Sequence, residues 1–386
     1  MPGFFAVLHA LISKGHLVDL FIYTPKDVSF SENRTSKEHW FSAVRILDVM
    51  RIENYSGIRR ILFEVRFPHQ LSQRVNRLLE QTHYDFVYGQ GNLADGARIA
   101  ARRQGIPFGL RKYGDDFAPL LRDKGFLGAS IRAPASAMSY RTRKAFILGT
   151  NDGTEIDRIC SRMKRRPPYD VYVWNNGFND QTGEDDKFSA LTLNPFIFQF
   201  SRIYRVKGQA DTIRAFQRAR EMGFRGHCII AGTEDDKVYA AELRDMIRVC
   251  RLEDCVHLIG KATAEQICYL ARRAVANMVM GVNYNLNNVL IESMGYGGIV
   301  IVRDTPRIRD VVRQGENGFV FSTVDECARL IAKLGRGESD IAMIRESAVR
   351  TCREKFGSWE DRAAREVELI GRYVVRNKTE RKGTEK

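Results

Sequence analysis

The chain has 386 residues, 44% of them hydrophobic, and a formal net charge of +14. That length exceeds one ordinary core and calls for two or three domains of a soluble globular protein. No apolar run nears the ~20 residues that span a bilayer, and seven scattered cysteines without a Cys-x-x-Cys pair exclude a disulfide framework and point to thiols kept reduced.

The N-terminal MPGFFAVLHALISKGHLV has no basic stretch before its apolar residues, and Phe4, Val7, Leu8 and Leu11 recur at helical spacing. It reads as a helix over 4–14 rather than a signal peptide, which predicts a cytoplasmic protein. A strand over Leu17–Tyr23 follows. Residues 26–56 read as polar and irregular, Ile61–Val65 as a strand, and Leu71–Gln81 as a helix. Then YDFVYGQGNLADGARIAARRQGIPFGL supplies a strand, a turn at Gly89 and Gly91, a helix over Leu93–Arg103 and another strand. This β-α-β unit predicts a parallel sheet. Gly96 lies one place too far out for the Gly-x-Gly-x-x-Gly dinucleotide fingerprint, so Gly89–Gly91 reads as a tight turn.

The polar cluster Arg111-Lys112-Tyr113-Gly114-Asp115-Asp116 follows a strand end, the place where open α/β sheets hold ligands. Its adjacent acids would point to opposite faces of an extended backbone, which favours a loop with one functional acid or none over a metal site. Residues 117–144 carry no clear signature. A strand over Ala145–Leu148, a basic helix and a strand over Tyr169–Trp174 lead to Asn175-Asn176-Gly177, and the polar stretch GFNDQTGEDDKFSA reads as an interdomain linker.

The second half alternates strands (Phe196–Phe200, Cys228–Ala231, Val256–Ile259, Ala276–Met280, Ile299–Val302) with helices, which predicts a second doubly wound sheet. Two stretches in it carry chemistry. In Ser201–Gly208, Arg202 and Lys207 follow a strand and precede a helix, so two cations and free N–H groups could clamp a diphosphate. In YNLNNVLIESMGYGGIVIV (284–302), Asn287 or Asn288 can cap a helix whose start suits a phosphate, and Glu292 one turn further in can reach a ribose hydroxyl.

Together these residues resemble retaining family 4 glycosyltransferases, which have two facing Rossmann-like domains (the GT-B fold) and transfer a sugar from a nucleotide donor. The resemblance rests on Ser201-Arg202 with Lys207-Gly208, Ala231-Gly232, Val256–Gly260, Asn288–Met294 and Gly315–Val320, in order over about 195–325. Looser matches are Lys14-Gly15-His16, Asn175-Asn176-Gly177 and a final helix over Trp359–Tyr373. The resemblance implies an N-terminal acceptor-side domain over 1–178, a linker over 179–190, a nucleotide-sugar domain over 191–355, a helix over 356–375 crossing back to the first domain and a basic tail over 376–386.

By the same resemblance Arg202 and Lys207 hold the donor diphosphate, amides near Asn288, Val289 and Leu290 add donors, and Glu292 binds the ribose. Gly260 meets the base, and Gly232 belongs to the donor site. No cofactor or metal is expected, because cations and a helix terminus take the ion's place. The reaction implied is transfer of a hexosyl group with retention to a lipid-linked or polysaccharide acceptor.

The sequence departs from the family's pattern at three places. The upstream acid paired with Glu292 falls on Tyr284, a donor-sugar position. The first domain's His-Gly appears as Tyr113-Gly114, with Asp115 behind it. The first strand and its glycine-rich loop are missing, with Pro2-Gly3 in their place, which leads to the expectation that a longer native chain exists. An inactive nucleotide-sugar-binding protein of the same fold is the alternative reading. The basic excess favours polyanions or peripheral contact with an anionic membrane at its inner face. Without an aromatic–basic ribonucleoprotein motif, zinc-finger spacing or long basic arm, nucleic acid is not expected as a partner.

Overall fold

The computed structural model describes every residue except 1, 26–38, 54, 114–116, 154, 163–168, 181–184, 186, 283–284, 339 and 385–386. The chain forms two compact units, Met1–Asn175 with Trp359–Lys386, and Asn176–Ser358.

The first unit opens with helix α1 (Pro2–Ser13), followed by strands β1 (Val18–Pro25) and β2 (Val44–Ile52), which pair in parallel. Helix α2 (Gly57–Gln81) leads to β3 (Val87–Gln90), α3 (Asp95–Arg103), β4 (Phe108–Lys112), α4 (Phe117–Arg132), α5 (Pro134–Arg141), β5 (Phe146–Thr150), α6 (Ile156–Arg162) and β6 (Asp170–Trp174). Strands β3 to β6 form a parallel sheet in sequence order. β4 and β5 are buried along their whole length, as expected of parallel strands covered on both faces. Among the described residues no ladder joins β1–β2 to β3–β6. The two pieces meet through side chains instead, the Tyr23 hydroxyl donating to the Gln90 carbonyl at 2.8 Å and the Tyr23 ring standing edge-on to Phe67 of α2.

Two expectations are corrected in this unit. Ile61–Val65 is not a strand but part of α2, a 25-residue helix that continues through Pro68. Its apolar side chains mimic a strand pattern, yet Phe67, Leu71 and Val75 carry the helical stripe on to the core. Residues 26–56 are not irregular throughout, because β2 occupies 44–52; residues 26–38 lie outside the described set. Gly96 has a packing role. A Cβ there would come within 2.7 Å of the Pro68 backbone, so the glycine lets α3 lie close against α2.

The second unit holds β7 (Phe196–Phe200), α7 (Gln209–Glu221), β8 (His227–Ala231), α8 (Lys237–Val249), β9 (Val256–Gly260), α9 (Ala264–Arg273), β10 (Ala276–Val279), α10 (Asn288–Gly295), β11 (Val300–Arg303), β12 (Phe319–Phe321), α11 (Val324–Gly335) and α12 (Ile341–Phe356). Its six parallel strands lie in the order β12-β11-β10-β7-β8-β9. Alternate residues of β7 enter opposite cores, Ile197 with Phe216 and Leu243 on one face, Phe196 and Phe198 with Leu290 and Ile291 on the other. The sheet is therefore doubly wound, and its strand order reverses between β7 and β10. Helix α13 (Trp359–Thr384) belongs to the first unit and continues through most of the stretch read as a basic tail. No described helix is long and apolar enough to cross a membrane.

Candidate functional site

In an open α/β sheet a ligand sits beyond the carboxyl ends of the strands where the order reverses. In the second unit that point lies between β7 and β10, and the two loops leaving these strands are 201–208 and 280–287. They touch directly. Val282 N–H donates to the Val206 carbonyl at 3.2 Å, and Gly208 lies against Met280 so closely that a Cβ would be 2.3 Å from the Met280 oxygen. Gly208 has φ +71°, so it meets both a left-handed turn and a close approach.

Three side chains, the buried Gln209 and Gln199 and the part-buried Arg303, none singled out from the sequence, hold this edge. Gln209 donates to Ser201 Oγ and the Arg202 carbonyl at 3.0 and 2.9 Å, pinning the loop that carries the cations. Gln199 donates to the Lys207 carbonyl at 2.9 Å. Arg303, at the end of β11, donates to the Met280 carbonyl at 3.2 Å and pairs with Asp211 of α7 at 2.5 Å. Their only sequence signal is polarity beside an apolar strand.

The Arg202 side chain is 66% exposed and donates to Asp235 at 2.9 Å, while Thr233 donates to the other oxygen of that carboxylate at 2.8 Å. Lys207 closes a short turn over Arg205–Lys207 just before α7. Gly232 follows β8 at φ +159° and approaches Ser201 so closely that a Cβ would fall 1.8 Å from its oxygen; its N–H donates to the Gly260 carbonyl at 2.7 Å. Gly232, Gly260 and the Arg202 loop thus form one continuous rim.

On the other side of the reversal, Asn287 caps α10, its Oδ1 accepting from Val289 and Leu290 N–H at 3.0 and 3.3 Å. These two amides already have an acceptor, so an anion bound there would replace or share the Asn287 oxygen. The Asn288 side chain accepts from Asn176 at 2.7 Å. Glu292 lies one turn in, and burial lifts its carboxyl from 4.5 to about 7. Tyr284 lies outside the described residues.

The first unit has its own polar cluster at the ends of β3 and β4. Tyr113 donates to Gln90 Oε1 at 2.5 Å beneath the Arg111 guanidinium, and burial pushes its phenol up to about 12. Arg111 is 1% exposed; its Nη1 donates to Glu366 of α13 at 3.0 Å and to the Gly3 carbonyl at 3.3 Å. Glu366 also pairs with Arg362 at 2.6 Å and accepts from Tyr88 at 2.5 Å. Gly3 is buried against Trp359 and Arg111, whereas Gly114 and Asp115 lie outside the described residues.

Among the described residues no group of three or more His, Cys, Asp or Glu is arranged to hold a metal ion.

Residues 181–350 match the family described as glycosyl transferases group 1. No curated protein matches the chain. Among solved structures, sucrose-phosphate synthase from Thermosynechococcus elongatus is similar at TM-score 0.72 and 15% identity, over 96% of this chain and 92% of that one. Anabaena Alr3699/HepE, in complex with UDP and glucose, is similar at 0.71 and 17%, over 95% and 94%. A glycosyltransferase from Rickettsia africae is similar at 0.63 and 14%, over 93% and 99%. By its fold the chain is a two-domain GT-B protein, and over residues 181–350 it is similar to the glycosyl transferases group 1 family.

Proposed function

We propose that this protein transfers a hexosyl group from a nucleotide-diphosphate sugar to a lipid-linked or polysaccharide acceptor, with retention at the anomeric carbon and without a metal ion. The observation that carries this reading is the meeting, at the strand-order reversal of one sheet, of the loop bearing Arg202 and Lys207 with the loop that leads into α10. Cations at that edge oppose the charge that grows on a departing diphosphate, and they do so without reorganising. The start of α10 adds a partial positive charge to the same edge. Glu292 accepts a ribose hydroxyl, and the Gly232–Gly260 rim borders the base.

Residues 191–355 would then be the donor-binding part. The acceptor would meet residues 1–178, with Tyr113, Gly3, Gly114 and Asp115 on that side, at the cytoplasmic face of a membrane. Because the HepE structure holds UDP and glucose, UDP leads the nucleotides to be tested.

The test is calorimetric titration of the wild type with UDP, GDP, ADP and NAD, followed by turnover with the matching sugar nucleotides and NMR of the product's anomeric configuration. One diphosphate binding in preference to NAD, with a retained product, is the expected result. Binding without turnover would favour the second reading, a nucleotide-sugar-binding protein that has lost catalysis, for which Tyr284 in place of an acid is the specific support.

A further inference from the structure

Helix α2 presents two apolar stripes. One carries Phe67, Leu71 and Val75 into the core; the other carries Ile58, Leu62 and Val65, at i, i+4 and i+7, which are 73%, 49% and 60% exposed. Helix α4, interrupted at Gly125, exposes Leu127 and Ile131 in the same way, 76% and 57%. The two helices are linked through α5, which follows α4 in the chain and packs on α2. Glu64 of α2 accepts from the backbone of Ala135 at 3.3 Å, a few residues after Ile131.

Basic side chains flank the aliphatic ones. Arg59 and Arg66 border the stripe on α2, and Lys124 and Arg132 border Leu127 and Ile131; all four are exposed. The acids in these segments are engaged or outnumbered. Glu64 pairs with Arg60 at 2.8 Å and accepts from Ala135, and Asp123 stands 3.9 Å from Arg122. The result is a patch of aliphatic side chains within a positive rim, on helices whose opposite faces are anchored in the core.

We propose that this α2–α4 face is the surface by which the protein docks on an anionic membrane. A helix lying in the interface plane buries aliphatic side chains at the boundary with the acyl chains, while arginine and lysine extend to the anionic headgroups. Charge complementarity selects that occupant, since a neutral protein groove would leave four cations unmatched and an anionic bilayer matches them all. The inference draws on the lipid-linked acceptor reading only for its choice of a bilayer, and it names the side chains that make the contact.

The experiment is co-sedimentation of the full chain with vesicles of phosphatidylcholine, alone and with phosphatidylglycerol, alongside UDP titration of the same preparations so that failure at the membrane and failure at the donor site are told apart. The wild type is expected to bind the anionic vesicles and to release partly at high salt. The triple variant Ile58→Ser/Leu62→Ser/Val65→Ser and the double variant Leu127→Ser/Ile131→Ser should each weaken partitioning at least about tenfold while keeping the wild-type circular dichroism spectrum. Arg59→Glu/Arg66→Glu should abolish binding at low salt. Absence of wild-type binding, binding that survives the serine variants, or self-association that those variants abolish would each overturn the proposal; the last would make the face an interface between copies of the chain.

Discussion

Arg202 and Asp235 hold each other at 2.9 Å at the rim of the second sheet, so the cation proposed to meet a donor diphosphate is already matched by a carboxylate. Both partners are largely in water, and such a pair contributes only about 0.2–1 kcal/mol. A diphosphate, with more charge and several acceptor oxygens, would be the stronger partner for the guanidinium.

It follows that substitutions at these two positions act in opposite directions. Arg202→Ala should weaken nucleoside diphosphate binding by about 10- to 150-fold, the loss of one charge-assisted contact. Asp235→Asn, which frees the guanidinium and removes a negative charge, should tighten binding by up to about fivefold. Calorimetric titration of both variants with UDP and GDP measures the two effects.

Glu292 sets a pH dependence. Its carboxyl is raised from 4.5 to about 7 by burial, so the folded state keeps a proton that the unfolded chain gives up. The native form is favoured below about 4.5, and this favour fades as pH rises to about 7. Glu292→Gln should therefore gain stability over the wild type at pH 8 and show little difference at pH 4.5, as read by urea unfolding at the two values. The carboxylate is also the stronger acceptor, so diphosphate affinity should rise through pH 7 in the wild type and stay flat in the variant.

Gly208 is held by geometry. Alanine there would adopt φ +71° with its Cβ 2.3 Å from the Met280 carbonyl oxygen, so Gly208→Ala should cost more than about 2 kcal/mol. Because the two loops at the site meet at this contact, nucleotide binding should weaken along with stability, while Gly337→Ala, at a surface turn with open space around it, should leave binding unchanged. Thermal melts with and without UDP separate the two effects.

The cluster in the first unit rests on one acid. Glu366 is fully buried between Arg111 and Arg362, and Glu366→Gln should destabilise by about 3–5 kcal/mol, because two guanidiniums would then be buried without a counter-charge. Differential scanning calorimetry measures the loss, and a conservative Tyr88→Phe should cost much less.

The second unit was legible because its strands are short, mostly apolar and separated by amphipathic helices, so periodicity and glycine turns mark every boundary from Phe196 to Val302 within one or two residues. The loop bearing Arg202 and Lys207 and the helix bearing Glu292 could be located from those boundaries alone. The first unit was harder for a physical reason. Ile61, Leu62, Phe63 and Val65 have strand-forming side chains, and Pro68 looks like a terminator, yet the helix runs on because its neighbours pack against both halves. Gln209, Gln199 and Arg303 were not legible at all, since nothing local distinguishes a polar side chain aimed at a distant carbonyl from one in water. The same holds for the Asn287 cap on Val289 and Leu290: the capping residue was foreseen as one of two, but its hold on the very amides assigned to a ligand was not.

The pairing of Arg111 with Glu366 links residues 255 positions apart in the chain. A ribosome delivers the arginine long before the glutamate, so the nascent first unit carries a core cation without this carboxylate until α13 has left the exit tunnel. The second unit, complete at Ser358, is free to fold before then. The order of maturation is thereby the reverse of the order of synthesis: the part made first is finished last, and emergence of α13, rather than of α1, sets the time at which the first unit can become native.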